Sequence, residues 1–206
     1  MRNSAATTIE KQIHHGDYYS TGIPHKKLCI WAFLVSNCMF LGTLITTHLI
    51  YRKTATEPIV ATALIDIPLT SLCSLVLISS SPLMALGVSA IHKGNLKMTR
   101  WMLLGVISLG LIFLGYQVYE FTHIFQQEEL TLSSHLFGST FYLLIGTHAL
   151  QVTLGILWLF GWVVYSFTGK MVPEHAIDVE VAGNFWHFLN IVWSIIFLAV
   201  YLMEYL

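Results

Sequence analysis

Residues 133–168 read SSHLFGSTFYLLIGTHALQVTLGILWLFGWVVYSFT and contain no aspartate, glutamate, lysine or arginine. A helix crosses the apolar layer of a bilayer in about 20 residues, so this stretch is long enough to span a membrane. At 1.5 Å per residue it would extend about 54 Å, which exceeds the thickness of that layer. We therefore predict a transmembrane helix that is strongly tilted or projects beyond the membrane.

Four further apolar segments accompany this stretch, at 28–51, 67–91, 101–125 and 184–203. Each can span a bilayer, and Glu120 is the only acidic or basic residue inside the five segments. The 206-residue chain is 55% hydrophobic and only 10% charged, which leaves too few polar residues to cover a soluble protein. The segments also lack the alternation of apolar and polar residues that a β-barrel requires. The sequence predicts an all-α, polytopic membrane protein with five transmembrane helices in a bundle.

Charge placement predicts the domain organisation and the orientation in the membrane. Residues 1–27 form a polar segment without the apolar run of a cleaved signal peptide, and residues 28–206 form one membrane domain. With five spans, one side of the membrane has Arg2, Lys11, Lys26, Lys27, Lys93, Lys97, Arg100 and Lys170, and the other has Arg52 and Lys53. Because cytoplasmic loops are rich in lysine and arginine, we expect a cytoplasmic N-terminus and a C-terminus outside. The net charge of −1 indicates no nucleic-acid partner.

Polar side chains inside a membrane are costly, so Glu120 is the first candidate for a functional residue. Gln117 and His123 lie three residues away on either side and share its helix face. Two interpretations remain open. Glu120 is either a protonatable or lipid-contacting group, or a carboxylate that is hydrogen-bonded to a neighbouring helix.

Four histidines lie within the segments or at their ends: His48, His123, His148 and His187. A haem would need two of them facing each other across helices, and no segment has the His-x-x-Glu spacing of a di-iron site. His148 is followed by Gln151, and His187 by Asn190, each three residues later on the same face. Such polar stripes more often join helices through hydrogen bonds, and a haem-binding membrane cytochrome is the alternative.

Small residues predict close contacts between helices. The three cysteines, Cys29, Cys38 and Cys73, have no metal-ligand spacing, and we expect them to be small core residues. Small residues also recur at helical spacing, which favours tight helix packing. They are Cys29, Ser36, Thr43 and Thr47 in the first segment, and Gly105, Gly110, Gly115, Gly138, Gly146 and Gly155 in the third and fourth. Pro82, in the middle of the second segment, is expected to kink that helix.

Four stretches, in the right order, resemble subunit III of the haem-copper oxidases, the cytochrome c oxidase and quinol oxidase family. The most specific is NFWHFLNIVW at 184–193, which is similar to the family pattern Y-W-H-F-V-D-x-V-W. FGSTFYLLIGTHALQVTLG at 137–155 resembles Y-G-S-x-F-F-x-x-T-G-x-H-G-x-H-V-x-x-G, and LGLIFLGYQVYEF at 109–121 resembles L-G-x-x-F-x-x-x-Q-x-x-E-Y. LCIWAFLVSNCMFLGTLITTHLIYR at 28–52 resembles G-M-W-L-F-I-x-S-E-x-M-F-F-x-x-x-F-x-x-Y-x-x-Y-R. Five spans resemble the shorter bacterial form of the family, which lacks the first two of seven helices.

The chain departs from these patterns at three titratable positions. Asn37 stands where the pattern has glutamate, Asn190 where it has aspartate, and Gln151 where it has the second histidine. All three replacements are neutral amides that can still form hydrogen bonds. Glu120 and His187 keep the residue of the pattern. The resemblance therefore implies hydrogen bonding, and not proton handling, at the three changed positions.

The resemblance implies an accessory subunit of a respiratory terminal oxidase that has no catalytic residue, haem, copper or other metal of its own. Such a subunit packs mainly on subunit I, accompanies subunit II and small subunits, and lies in the bacterial inner membrane. It holds phospholipids in a cleft between helices, and it supports stability and sustained proton uptake during oxygen reduction. We expect a complex of the cytochrome c oxidase type. A subunit III-like partner of a quinol oxidase or a nitric oxide reductase is the alternative, and nothing in the sequence favours a transporter.

Two groups of residues are expected to make the contacts of such a subunit. Lipid or inter-helix contacts are expected from Glu120, His148, Gln151, His187, Asn190 and Asn37. The basic residues at helix ends are expected to contact phospholipid headgroups, or to be ordinary charges that flank a span. They are Arg52, Lys97 and Arg100.

Overall fold

A computed structural model describes residues 25–54, 66–127 and 136–202 of the chain. The long helices are α1 (His25–Thr54), α2 (Ile67–His92), α3 (Leu96–Gln127), α4 (Leu136–Phe167) and α5 (Ala176–Ile196). A 3-10 turn (Pro173–His175) precedes α5, and a π-helical turn (Phe197–Leu202) continues it. Within these described ranges, five helical regions are long and apolar enough to cross a membrane. The predicted all-α, five-span architecture is confirmed.

α2 and α3 form an antiparallel hairpin whose ends follow from local chemistry. Asp66 caps α2, since its carboxylate accepts a hydrogen bond from the Leu69 amide at 3.2 Å. Gly94 has a φ of +74°, so the chain turns there into α3 without the steric cost that a side chain would add. Thr99 then donates to the carbonyl of Gly87 across the hairpin at 3.3 Å.

α5 is the most buried of the five helices and α1 is the least buried. α5 begins at Ala176, eight residues before the apolar segment predicted from the sequence. The added turns contain Asp178 and Glu180, which pair with Lys26 and Lys27 of α1 at 2.5 and 2.6 Å. Charged residues can therefore belong to this helix because they lie where it leaves the apolar layer.

The helix predicted at 133–168 does not stand out by its length. α4 has 32 residues, the same number as α3, and it ends at Phe167. Positions 133–135 lie outside the described residues. α2 continues through Pro82 as one helix, and a kink there stays a prediction.

The expectation for two of the cysteines is wrong. Cys29 and Cys38 are exposed on α1, and only Cys73 is buried. Ser36 and Thr43 are exposed on the same helix, and their hydroxyls donate to carbonyls of α1 itself. Three of the four small residues of this stripe on α1 therefore face outward within this chain, and Thr47 is half-buried. Spacing shows which residues share a face but not where that face points.

Candidate functional site

Glu120 lies in a hydrogen-bonded cluster near one end of the bundle, with 4% of its surface exposed. The Tyr201 hydroxyl and the Gln117 amide each donate to its Oε2 atom at 3.0 Å. The Tyr116 and Thr70 hydroxyls each lie 3.2 Å from its Oε1 atom. We call these five residues the Glu120 cluster.

The Glu120 cluster joins three parts of the bundle. Thr70 is on α2, Tyr116 and Gln117 are on α3 with Glu120, and Tyr201 is in the π-helical turn after α5. Within the described residues, no basic side chain forms an ion pair with Glu120. The carboxyl group is thus held by neutral donors, two from α3 itself and two from other parts of the bundle, which is the geometry of the hydrogen-bonded interpretation. Sequence reasoning missed Thr70 and Tyr201, because neither lies near Glu120 along the chain.

His148 is fully buried and connects α4 to α5. Its Nε2 atom lies 3.1 Å from the carbonyl oxygen of Leu189. The imidazole also contacts two aromatic rings, with centroids 5.1 Å from Trp193 and 6.2 Å from Phe113. His187 connects α5 to α2, since its Nδ1 atom lies 2.5 Å from the Ser81 hydroxyl. Both histidines make the contacts between helices that their polar stripes predict.

Two of the three changed family positions lie together. The Gln151 side-chain amide of α4 donates to the side-chain Oδ1 atom of Asn37 on α1 at 2.9 Å. Asn190 is buried as well, but its amide donates at 2.9 Å to the carbonyl of Trp186 on its own helix. Asn190 therefore shows no side-chain bond to another helix among the described residues, in contrast to the expectation from its stripe.

The basic residues at helix ends differ in their surroundings. Arg100 donates to the Ser166 carbonyl at 2.7 Å and to the Ser166 hydroxyl at 3.0 Å, and its guanidinium lies 4.1 Å from the centre of the Phe167 ring. Arg100 thus holds the last turn of α4. Lys97 is exposed. The side chain of Arg52 lies outside the described residues.

The four histidines are engaged in different places. His48 of α1 lies 3.1 Å from the Thr140 hydroxyl of α4, and His123 stacks on Tyr119 at 5.9 Å. In the part of the chain that the structure describes, no three His, Cys, Asp or Glu side chains are grouped as metal ligands.

An apolar groove that the sequence analysis did not identify lies between α1, α4 and α5, with a volume of about 560 Å³. Its walls include Phe33 of α1 and Trp158 and Trp162 of α4. Lys26 and Asp178, which form the ion pair described above, line its mouth. A second hollow shares Trp158 and Trp162 with this groove and is also lined by His175. In the sequence, the two tryptophans stand four residues apart, and this spacing indicates that they share one face of α4.

Comparisons with known proteins place this chain in a family. The sequence model described as "Cytochrome c oxidase subunit III" matches residues 8–205. The "Probable quinol oxidase subunit 3" of Staphylococcus saprophyticus is 30% identical over 96% of this chain and 95% of that protein. The "Cytochrome c oxidase subunit 3" of Alkalihalophilus pseudofirmus is 33% identical over 87% of each chain. The "Quinol oxidase subunit 3" of Bacillus subtilis is 30% identical over 85% of this chain and 86% of that protein.

Proposed function

The chain belongs to the cytochrome c oxidase subunit III family, and on that premise we propose that it is an accessory subunit of a haem-copper terminal oxidase with no haem or copper of its own. Membership implies partnership with other subunits of an oxidase complex. The observation that carries the accessory role is how the bundle uses its polar groups. Glu120, His148, Gln151 and His187 each bond another helix, which is the pattern of a scaffold.

The chain is an integral membrane protein, and the proposal places it in the bacterial inner membrane with subunit I as its main contact. Subunit II and small subunits complete the complex. Outward-facing large apolar side chains on every helix support contacts with lipid and with transmembrane partners. The accessory subunit would support stability and sustained proton uptake while subunit I reduces oxygen.

A tagged chain purified in mild detergent from its own membranes tests the accessory role. We expect a large haem-bearing subunit to co-purify in equal amount, and the haem spectrum to disappear when that subunit is removed. Absence of such a subunit would overturn the proposal. A haem band that stays with the chain alone would favour the membrane cytochrome, and reduction of nitric oxide in place of oxygen would favour the nitric oxide reductase partner.

Quinol is the electron donor that the named relatives support better. The proteins of Staphylococcus saprophyticus and Bacillus subtilis are named as quinol oxidase subunits, and each matches most of this chain. The cytochrome c type expected from the sequence keeps the support of the Alkalihalophilus pseudofirmus protein. Oxygen consumption by the purified complex, measured with reduced quinol and with reduced cytochrome c, separates the two. A faster rate with cytochrome c would reject quinol.

Bound phospholipid belongs to the proposal, and the groove between α1, α4 and α5 supports it. A phosphate group would lie at Lys26 and an ammonium headgroup at Asp178, because their charges are opposite. An acyl chain would pack along Phe33, Trp158 and Trp162. The two charges at the mouth and the aromatic walls below them match the two ends of a phospholipid.

Native mass spectrometry of the purified complex measures how many phospholipids stay bound to it. Trp158→Ala should lower the number of phospholipids that stay bound, because it removes a wall of the groove. Trp101→Ala, which truncates a tryptophan exposed elsewhere on α3, is the matched control and should keep them. Equal retention by both variants would reject this site.

A further inference from the structure

Three buried aromatic residues of α5 and its π-helical turn end in polar atoms, and each atom donates to another helix. Trp186 donates to the Ser80 hydroxyl at 2.8 Å, and Trp193 donates to the Ser74 hydroxyl at 2.9 Å. Tyr201 donates to the Glu120 carboxyl at 3.0 Å. We call Trp186, Trp193 and Tyr201 the aromatic ladder. All three side chains are almost completely shielded from solvent.

The spacing along the aromatic ladder is uneven. Trp193 follows Trp186 by seven residues, which returns to nearly the same face after two turns of an α-helix. Tyr201 follows Trp193 by eight residues. In a regular α-helix eight residues rotate about 80° beyond two full turns, so Tyr201 would leave this face and Val200 would take its place.

The π-helical turn at Phe197–Leu202 absorbs the extra residue. A π-helix closes its hydrogen bonds from i to i+5, so it holds one more residue per bonded turn than an α-helix. Within this turn Tyr201 stacks on Phe197 at 5.7 Å, and its ring lies 6.2 Å from Trp193. The third member of the ladder therefore stays on the face that meets α2 and α3.

We propose that the π-helical turn sets the helical register at the end of α5, so that Tyr201 is the positioning residue of the Glu120 carboxyl group. Tyr201 is the only donor of the Glu120 cluster that comes from α5 or its extension. It shares the Oε2 atom with Gln117, while Tyr116 and Thr70 lie at Oε1. With Tyr201 in this position, both carboxyl oxygens point toward donors of this chain, and the end of α5 is bonded to α2 and α3. This assignment does not depend on which oxidase the subunit serves.

Two single-residue deletions test the register. Removing Leu198, an outward-facing residue of the π-helical turn, leaves Tyr201 seven positions after Trp193. A continuous α-helix can then keep the aromatic ladder on one face. The complex should therefore assemble, with a melting temperature within a few degrees of the wild-type value. Removing Ile191, which is also outward-facing, rotates Trp193 and Tyr201 away from Trp186 and should abolish assembly. Equal loss in the two deletions would overturn the proposal.

The infrared bands of isotope-labelled glutamate in the purified complex test the positioning of Glu120. The Glu120 band is assigned by its loss in Glu120→Gln. Tyr201→Phe removes one hydrogen bond and should shift this band. Deletion of Leu198 in the chain that keeps Tyr201 should leave the band near its wild-type position. An unchanged band in Tyr201→Phe would overturn the positioning role. If Tyr201→Phe does not accumulate, the band in the Leu198 deletion decides, and a displaced band there rejects the proposal.

Discussion

At the scale of single residues, the polar side chains inside the apolar segments bond neutral partners. Glu120 receives donors from α2, from α3 and from the π-helical turn, and not from a basic residue among those described. Gln151 and Asn37 form an amide pair between α4 and α1. Each such bond adds only a modest free energy in a membrane, but loss of one partner leaves the other group without a bond in an apolar layer. These residues therefore matter mainly for which helix faces meet.

Glu120→Gln is expected to shorten the working lifetime of the oxidase while assembly and the initial rate stay nearly intact. The new amide nitrogen accepts no hydrogen bond, so the two donors at one of the present carboxyl oxygens lose their acceptor. The measurement is oxygen consumption during prolonged turnover. Glu174→Gln, at an exposed position before α5, is the control and should inactivate like the wild type. Identical inactivation of the two variants would leave Glu120 with a structural role only.

Gln151→Ala is expected to destabilise the complex by about 0.6 kcal/mol, the average for a side-chain bond between membrane helices. Combined with Asn37→Ala, the loss should be smaller than the sum of the two single losses, because both remove the same bond. Denaturation of the complex in detergent measures all three. Thr153→Ala is the control, since that exposed hydroxyl bonds only its own helix at Ala149. Strictly additive losses would contradict the pairing.

At the scale of helices, Trp186 is the side chain around which α3, α4 and α5 pack. A Cβ atom added at Gly110 of α3 would lie 2.8 Å from the Trp186 ring, and one at Gly155 of α4 would lie 3.2 Å from it. The indole nitrogen then bonds Ser80 of α2. Two glycines thus let three helices approach around one large ring. Gly115 differs, because a Cβ atom there would meet nothing within 4 Å.

Gly110→Ala is expected to cost about 1 to 3 kcal/mol of stability, the usual range for overpacking a well-filled core. The added methyl group would meet both the Trp186 ring and the end of Ile156, at 2.8 and 3.0 Å. Gly115→Ala, on the same helix, should be neutral or slightly stabilising, because alanine favours helix formation. Melting temperatures of the two variants decide, and a Gly110→Ala variant as stable as Gly115→Ala would refute this account of the packing.

At the scale of the whole molecule, one end of the bundle is held by ion pairs and the other by the Glu120 cluster. Lys26 and Lys27 of α1 pair with Asp178 and Glu180 of α5, and His92 of α2 lies 3.5 Å from Glu180. Partly exposed pairs of this kind are worth about 0.2 to 1 kcal/mol each, so they guide the ends of helices more than they hold the bundle. Basic residues concentrate at this end, which is the one we expect in the cytoplasm.

Reporter fusions are expected to confirm this orientation. Alkaline phosphatase, which folds only outside the cytoplasm, should be active when fused at the C-terminus and inactive when fused in the α2–α3 turn at Gly94. A fluorescent protein that folds in the cytoplasm should give the opposite pattern. Activity of the phosphatase at Gly94 would reverse the assigned orientation.

Much of this molecule follows from its sequence, because hydropathy and motif spacing are properties of short segments. Four of the five spans are close to their predicted limits, and the family predicted from the motifs is the one whose model matches residues 8–205. The predicted start of α5 lies eight residues too late, because hydropathy does not count the charged first turns of this helix. Asp178 and Glu180 in those turns pair with Lys26 and Lys27. Of the candidate residues, His148 and His187 make the predicted contacts between helices, and Asn190 bonds its own helix instead.

The sequence by itself determined the membrane-spanning class, the number of helices, the family and the scarcity of charge within the spans. Only the tertiary structure decided how each helix is rotated about its axis. It turned Cys29 and Ser36 outward, brought Gln151 to Asn37, and placed Tyr201 on Glu120 through the π-helical turn. The reason is physical. Spacing along one helix sets the angles between its own residues, but the face that each helix buries depends on the shapes of all five helices packed together.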